Sequence, residues 1–186
     1  MKRFLKFMTI SAISLLLMSS VSGCAHRNNR SRRSMASKPV INWRKPSEKK
    51  AYPSVHLNRP TKNWLLVSIE KQRVYIMRHH HAIYTMNAST GIHNSTPRGT
   101  YRIQRERGKF FYNRSSKEGA HYWTSWKDHG IYLFHTVPTN SKGQYNLTQA
   151  RQLGRKANSH GCIRLSVPDA RWINHHVPVG TKVVVK

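Results

Sequence analysis

Asn158-Ser159-His160-Gly161-Cys162-Ile163-Arg164-Leu165 sets a cysteine between a glycine and a short apolar run. The chain has only two cysteines. Glycine takes bends that a residue with a Cβ resists, and such a bend aims the backbone N–H groups of Gly161 and Cys162 toward a developing oxyanion. A thiol attacks as its thiolate, so a nucleophile here needs a base or a cation nearby. His160 is too close in sequence to be the obvious partner. His135, in Ile131-Tyr132-Leu133-Phe134-His135-Thr136, is the better candidate, because it ends a strand-like run from which a loop would swing it onto the sulfur. The competing reading of Cys162 is an inert, buried thiol packed like a small hydrophobe.

Downstream of the octapeptide, Ser166-Val167-Pro168-Asp169 has the pattern of a helix start, with Ser166 as cap, proline in the first turn and Asp169 at the third position. The helix is expected to run to about His175. Pro178-Val179-Gly180 then turns the chain into a last strand, residues 181–185. Upstream, Trp64–Ile69, Arg73–Met77, Ala82–Ala88, Tyr101–Gln104, Tyr122–Trp126 and Ile131–His135 have strand character. Turns are expected at Glu70-Lys71-Gln72 and at His79-His80-His81. Neighbours on a strand point to opposite faces, so that histidine tract is a poor metal site. No other stretch has a recognisable ligand pair, and neither metal nor cofactor is expected. Residues 106–121 are basic, polar and aromatic, an insertion or a lid. Many short strands with one or two short helices predict a mainly β domain, a β-sandwich or a partial barrel.

Ser159-His160-Gly161-Cys162-Ile163-Arg164-Leu165 resembles the signature of the L,D-transpeptidase (YkuD-like) catalytic domain. The resemblance extends to a Gln in the first hairpin (Gln72), Ser89-Thr90-Gly91, Thr96-Pro97-Arg98-Gly99-Thr100-Tyr101 and the closing Val177–Thr181, so it spans residues 64–186. It implies that Cys162 is the nucleophile, His135 the base, and the backbone carbonyl of Thr136 the group that orients His135. Ser159 and His160 match positions that shape the site. Arg164, where asparagine stands elsewhere, either meets a substrate carboxylate or bonds a local carbonyl or acid. The implied substrate is a peptidoglycan stem tetrapeptide, cleaved before its terminal D-alanine. Transfer to a neighbouring stem gives a 3→3 cross-link; transfer to water gives an L,D-carboxypeptidase. A catalytically dead, cationic wall-binding protein on the same fold is the remaining alternative.

The first 23 residues open with Lys2, Arg3 and Lys6, run apolar from Phe7 to Met18 and end in small residues, the layout of a signal peptide. Val21-Ser22-Gly23-Cys24 resembles a bacterial lipobox, after which Cys24 would be lipidated and anchor the chain to a membrane. Ordinary secretion is the alternative. With Cys24 so used, Cys162 has no intrachain partner, which is unusual in an exported protein unless the thiol does chemistry. Residues 25–63 carry 11 Lys or Arg against the single acid Glu48, with prolines at 39, 46, 53 and 60. They are expected to form a disordered tether over 24–63, roughly 35 Å from end to end as a flexible coil. A formal charge of +27 implies a polyanionic neighbour. For an exported chain that means anionic wall polymers or lipid headgroups rather than nucleic acid.

Overall fold

The computed structural model describes residues 39–54 and 62–186. The expected signal segment, the lipobox with Cys24 and much of the expected tether lie outside the described residues.

The first hairpin follows the alternation in its sequence. Strands β1 (Asn63–Ser68) and β2 (Arg73–Arg78) pair antiparallel and turn Leu65, Val67, Val74 and Ile76 inward, all fully buried. Strand β3 (His81–Ser89) pairs with β2 and then, through Ala88 and Ser89, with a short later strand. β4 (Gly99–Arg102) pairs antiparallel with the C-terminal strand, which itself lies parallel to β1. β5 (Arg107–Asn113) and β6 (Glu118–Lys127) form a long hairpin, so residues 106–121 are sheet and not a loose insertion. β7 (Tyr132–Thr136) follows, then one helical turn, α1 (Leu147–Ala150), and β8 (Ile163–Leu165). The chain closes with α2 (Val167–His176) and β9 (Lys182–Val185).

All nine strands join in one curled sheet ordered β4-β9-β1-β2-β3-β8-β7-β6-β5. Of the two expected architectures the partial barrel is the one found. Helix α2 starts as its sequence predicts: the Ser166 side chain accepts from the Asp169 N–H, and Pro168 sits in the first turn. Its Ala170, Trp172 and Ile173 complete one core with Leu65, Ile76, Tyr84, Phe134 and Ile163. β8 is only three residues long, yet all three are buried, because it fills the gap between β3 and β7.

The tether expectation fails over residues 39–54, which pack onto the domain as a strap, within the compact unit spanning Ser37–Lys186. Trp43 is buried among Val137, Ala150 and Leu153, with the Tyr145 ring 4.7 Å away, and its carbonyl accepts from the Val167 N–H. Arg44, Lys45, Lys49 and Lys50 stay exposed. Ser47 Oγ accepts from the Asn87 N–H and Glu48 Oε1 from the Thr85 N–H. Both amides lie on β3, where a sheet edge would otherwise present unpaired donors. Ser47 Oγ (2.5 Å) and the Tyr52 hydroxyl (2.7 Å) donate to the buried Asp169 carboxylate, and Tyr52 stacks between Tyr84 and Trp172. The strap is held because it gives polar partners to groups that folding has already desolvated.

Tyr52→Phe keeps the stacked ring and removes one donor from a buried carboxylate. It is expected to lower unfolding stability by about 1–3 kcal/mol, read from urea denaturation. A strap that merely trailed along the surface would give no change.

Candidate active site

β7 and β8 run parallel with His135 opposite Arg164. Cys162 lies in the turn immediately before β8, two residues ahead of Arg164. The side chains of His135 and Cys162 line one cavity of about 410 Å³. No loop has to swing the histidine inward, as the sequence had suggested: it is part of the strand, fixed by the ladder.

The His135 ring is buried, and its Nδ1 lies 2.6 Å from the Thr136 carbonyl oxygen. A carbonyl only accepts, so Nδ1 carries the proton and Nε2 keeps its lone pair. Burial, reinforced by the positive charge of Arg164, lowers the His135 pKa to about 3. Burial also raises the Cys162 thiol above its usual value, against smaller lowering effects from the Leu133 backbone and from Arg164. The thiol itself points at the Ile131 carbonyl, 3.5 Å away. The resting pair is therefore a neutral thiol beside a neutral imidazole, and not a preformed thiolate.

Gly161 has φ +143°, and a Cβ there would meet the Tyr132 ring at 2.9 Å and the Ser95 carbonyl oxygen at 3.0 Å. The turn before the cysteine requires glycine. Its N–H, however, donates to Ser159 Oγ at 3.1 Å, while Ser159 Oγ donates to the Cys162 carbonyl at 2.5 Å. The Gly161 amide is thus engaged in shaping the turn of the ligand-free site. Ser159 is buried and acts as the hub of this turn.

The motif residues far upstream buttress the same turn. Gln72 is buried and bonds Thr90 at both ends, with its Nε2 donating to Thr90 Oγ1 (2.7 Å) and its Oε1 accepting from the Thr90 N–H (2.8 Å). The Thr90 carbonyl accepts from the N–H groups of Asn158 and Ser159. Thr96 Oγ1 accepts from the Gly91 N–H and donates to the Gly161 carbonyl, each at 2.8 Å. Gly91 is small by necessity, since a Cβ there would come within 2.9 Å of the Gly161 Cα.

His160 is exposed, with Nδ1 3.9 Å from Glu118 Oε2. Arg164 is buried and serves the protein itself. Its guanidinium donates to Glu118 Oε2 (2.8 Å), Gln149 Oε1 (2.5 Å) and the Asn158 carbonyl. Of its two sequence readings, the local one describes these contacts. Asp169 lies with the strap, so the third member beside His135 is the Thr136 carbonyl and no carboxylate.

The segment 106–121, read from the sequence as an insertion or a lid, contributes to the site through the β5–β6 hairpin. Phe111 meets the His135 ring edge-on at 5.7 Å, and Trp123 and Glu118 line the cavity. The segment after His135 is pinned to the hairpin by paired backbone bonds between Thr139 and Gly119. The available signal was the aromatic run Phe110-Phe111-Tyr112.

The domain is a mainly β half-barrel with a histidine on β7 and a cysteine in the turn that leads into the neighbouring parallel strand β8. The sequence model of the L,D-transpeptidase catalytic domain, YkuD, matches residues 62–185, and the chain belongs to that family. It is 42% identical over 152 residues to YciB of Bacillus subtilis, whose designation as an L,D-transpeptidase is itself provisional; the match covers 80% of this chain and 76% of YciB. Among solved structures it resembles the L,D-transpeptidase LdtMt1, determined in complex with imipenem, with a TM-score of 0.54 at 23% identity over 67% of this chain and 59% of that one. An L,D-transpeptidase from Mycobacterium smegmatis gives a TM-score of 0.53 at 20% identity, covering 67% of this chain and 58% of that one. These two likenesses concern the fold, and the matched region spans less than two thirds of either solved chain.

Proposed function

We propose that the protein is a peptidoglycan L,D-transpeptidase in which Cys162 is the nucleophile and His135 the general base. The observation that carries this reading is the placement of both side chains on one cavity wall, with His135 Nδ1 tied to the Thr136 carbonyl. Nε2 takes the thiol proton as sulfur attacks the carbonyl carbon between the third stem residue and D-alanine. The C–N bond breaks, the imidazolium returns the proton to the departing D-alanine amine, and an acyl thioester remains on Cys162. The side-chain amine of a second stem then attacks the thioester and loses a proton. The sulfur leaves and is reprotonated, and a 3→3 cross-linked dimer is released. A base that is already neutral suits this sequence, because a thiol raised by burial does not ionise unaided.

Incubation with a disaccharide tetrapeptide, followed by mass spectrometry, tests the reading. A cross-linked dimer with released D-alanine supports it, a tripeptide alone identifies an L,D-carboxypeptidase, and unchanged substrate leaves a non-catalytic wall-binding protein.

The export signal and lipobox read in the sequence support an envelope location with lipid attached at Cys24, and the +27 charge supports anionic wall polymers or headgroups as partners. Retention of the unlipidated protein on purified walls is expected to fall steeply between 50 mM and 500 mM salt. Salt-independent retention would sink the charge reading.

A further inference from the structure

We infer that Glu118 is a positioning residue for this acyl transfer, holding the Arg164 guanidinium beside the cysteine–histidine pair and balancing its charge there; the inference rests on the reading of Cys162 and His135 proposed above. The chain has only six acidic residues against 33 Lys and Arg. Glu118 is the acid that lines the cavity holding Cys162. It opens β6, where the hairpin faces the cysteine turn, and its side chain is 22% exposed against 3% for Arg164.

The contacts form a closed set. Glu118 Oε2 accepts from Arg164, Glu118 Oε1 accepts from Gln149 Nε2 at 2.5 Å, and Gln149 Oε1 accepts from Arg164. Arg164 also donates to the Asn158 carbonyl, at the head of the cysteine turn. One guanidinium thus joins β6, α1, β8 and the turn that presents the nucleophile. A buried charge left without its counter-ion is strongly unfavourable, so Glu118 keeps Arg164 in this place.

The placement has an electrical consequence. The charged and titratable groups that line the cavity with Cys162 are Arg164 from β8, Glu118 from β6, Tyr132 and His135 from β7 and His160 from the turn. Arg164 favours the thiolate and disfavours a protonated His135, whereas Glu118 disfavours the thiolate. The two halves of the pair therefore push the sulfur in opposite directions, and together they leave a thiol that ionises only when the base takes its proton.

The test reads the sulfur directly, without substrate. Alkylation of Cys162 by iodoacetamide is followed against pH in the full chain, resolved by mass spectrometry of its peptide. In Glu118→Gln the midpoint is expected to move to lower pH, with alkylation at pH 7 rising about threefold or more, the change made by half a pH unit. In Glu118→Gln/Arg164→Gln both charges are gone and no buried ion is stranded, and the midpoint is expected to move back up. Glu118→Asp should restore the wild-type curve together with any lost turnover. An unmoved midpoint in Glu118→Gln, or a double variant that moves further down, overturns the inference. Wild-type protein that leaves stem peptides unchanged would instead sink the transpeptidase reading, while the alkylation curves would still report on the pair.

Discussion

Cys162→Ala is expected to abolish D-alanine release from a stem tetrapeptide, a loss of at least about 10⁴-fold, while leaving the fold in place. The loss is large because covalent catalysis has no substitute for the missing sulfur: His135 alone would have to activate water against an amide held for attack by a different atom. The fold survives because Cys162 is only partly buried. The turn around it is held by Ser159, Thr96 and the Gly161 backbone, none of which uses the sulfur. Thermal unfolding within about 1 kcal/mol of wild type, with no D-alanine detected, is the expected pair of results. Residual release by a folded Cys162→Ala protein would refute the assignment of the nucleophile.

His135→Gln is expected to lower turnover by about 10²–10⁴-fold, the usual worth of a positioned general base. A second effect separates this residue from a bystander. A free histidine takes up its proton near pH 6.5, whereas burial beside Arg164 holds His135 neutral down to about pH 3. Between those values the unfolded chain binds a proton here that the folded chain refuses. The contribution of His135 to stability is therefore present above pH 6.5 and is lost as the pH falls through that value toward 3. Glutamine does not titrate, so the urea midpoint of His135→Gln should decline less between pH 7 and pH 4 than that of the wild type. Parallel declines would mean that the imidazole is not buried in the neutral form. The same burial predicts that turnover in the wild type shows no acid limb near pH 6.5 from this group.

Reading the chain by local pattern reached far into this fold. Alternation placed β1, β2 and β3 within a residue or two, because each has a buried and a more open face, while β7, buried on both faces, was marked by its apolar run. Ser166 and Pro168 fixed the start of α2, since a helix cap is made by residues three apart. The hairpin over 107–127 was harder to see. Of β6 only Tyr122–Trp126 showed strand character locally, and β5, which has no fully buried residue, is marked as a strand by its pairing with β6.

The octapeptide around Cys162 and the histidine upstream were likewise legible without a structure. The chemistry of a nucleophile needs a particular atom on a particular kind of turn, and residue types state that directly. What the chain by itself determined, then, is which side chains can react and the succession of strands that carries most of them. Tertiary structure alone decided the rest. Trp43 and Tyr52 belong to the domain because their hydrogen-bond partners, Val167 and Asp169, stand more than a hundred residues further along the chain, at a helix start that exists only once folded. The Gly161 amide meets the Ser159 hydroxyl only in the folded turn. The charge on sulfur and imidazole follows from burial and from an ion pair brought in by a distant hairpin. Burial and long-range pairing are properties of the packed whole, and no window of sequence contains them.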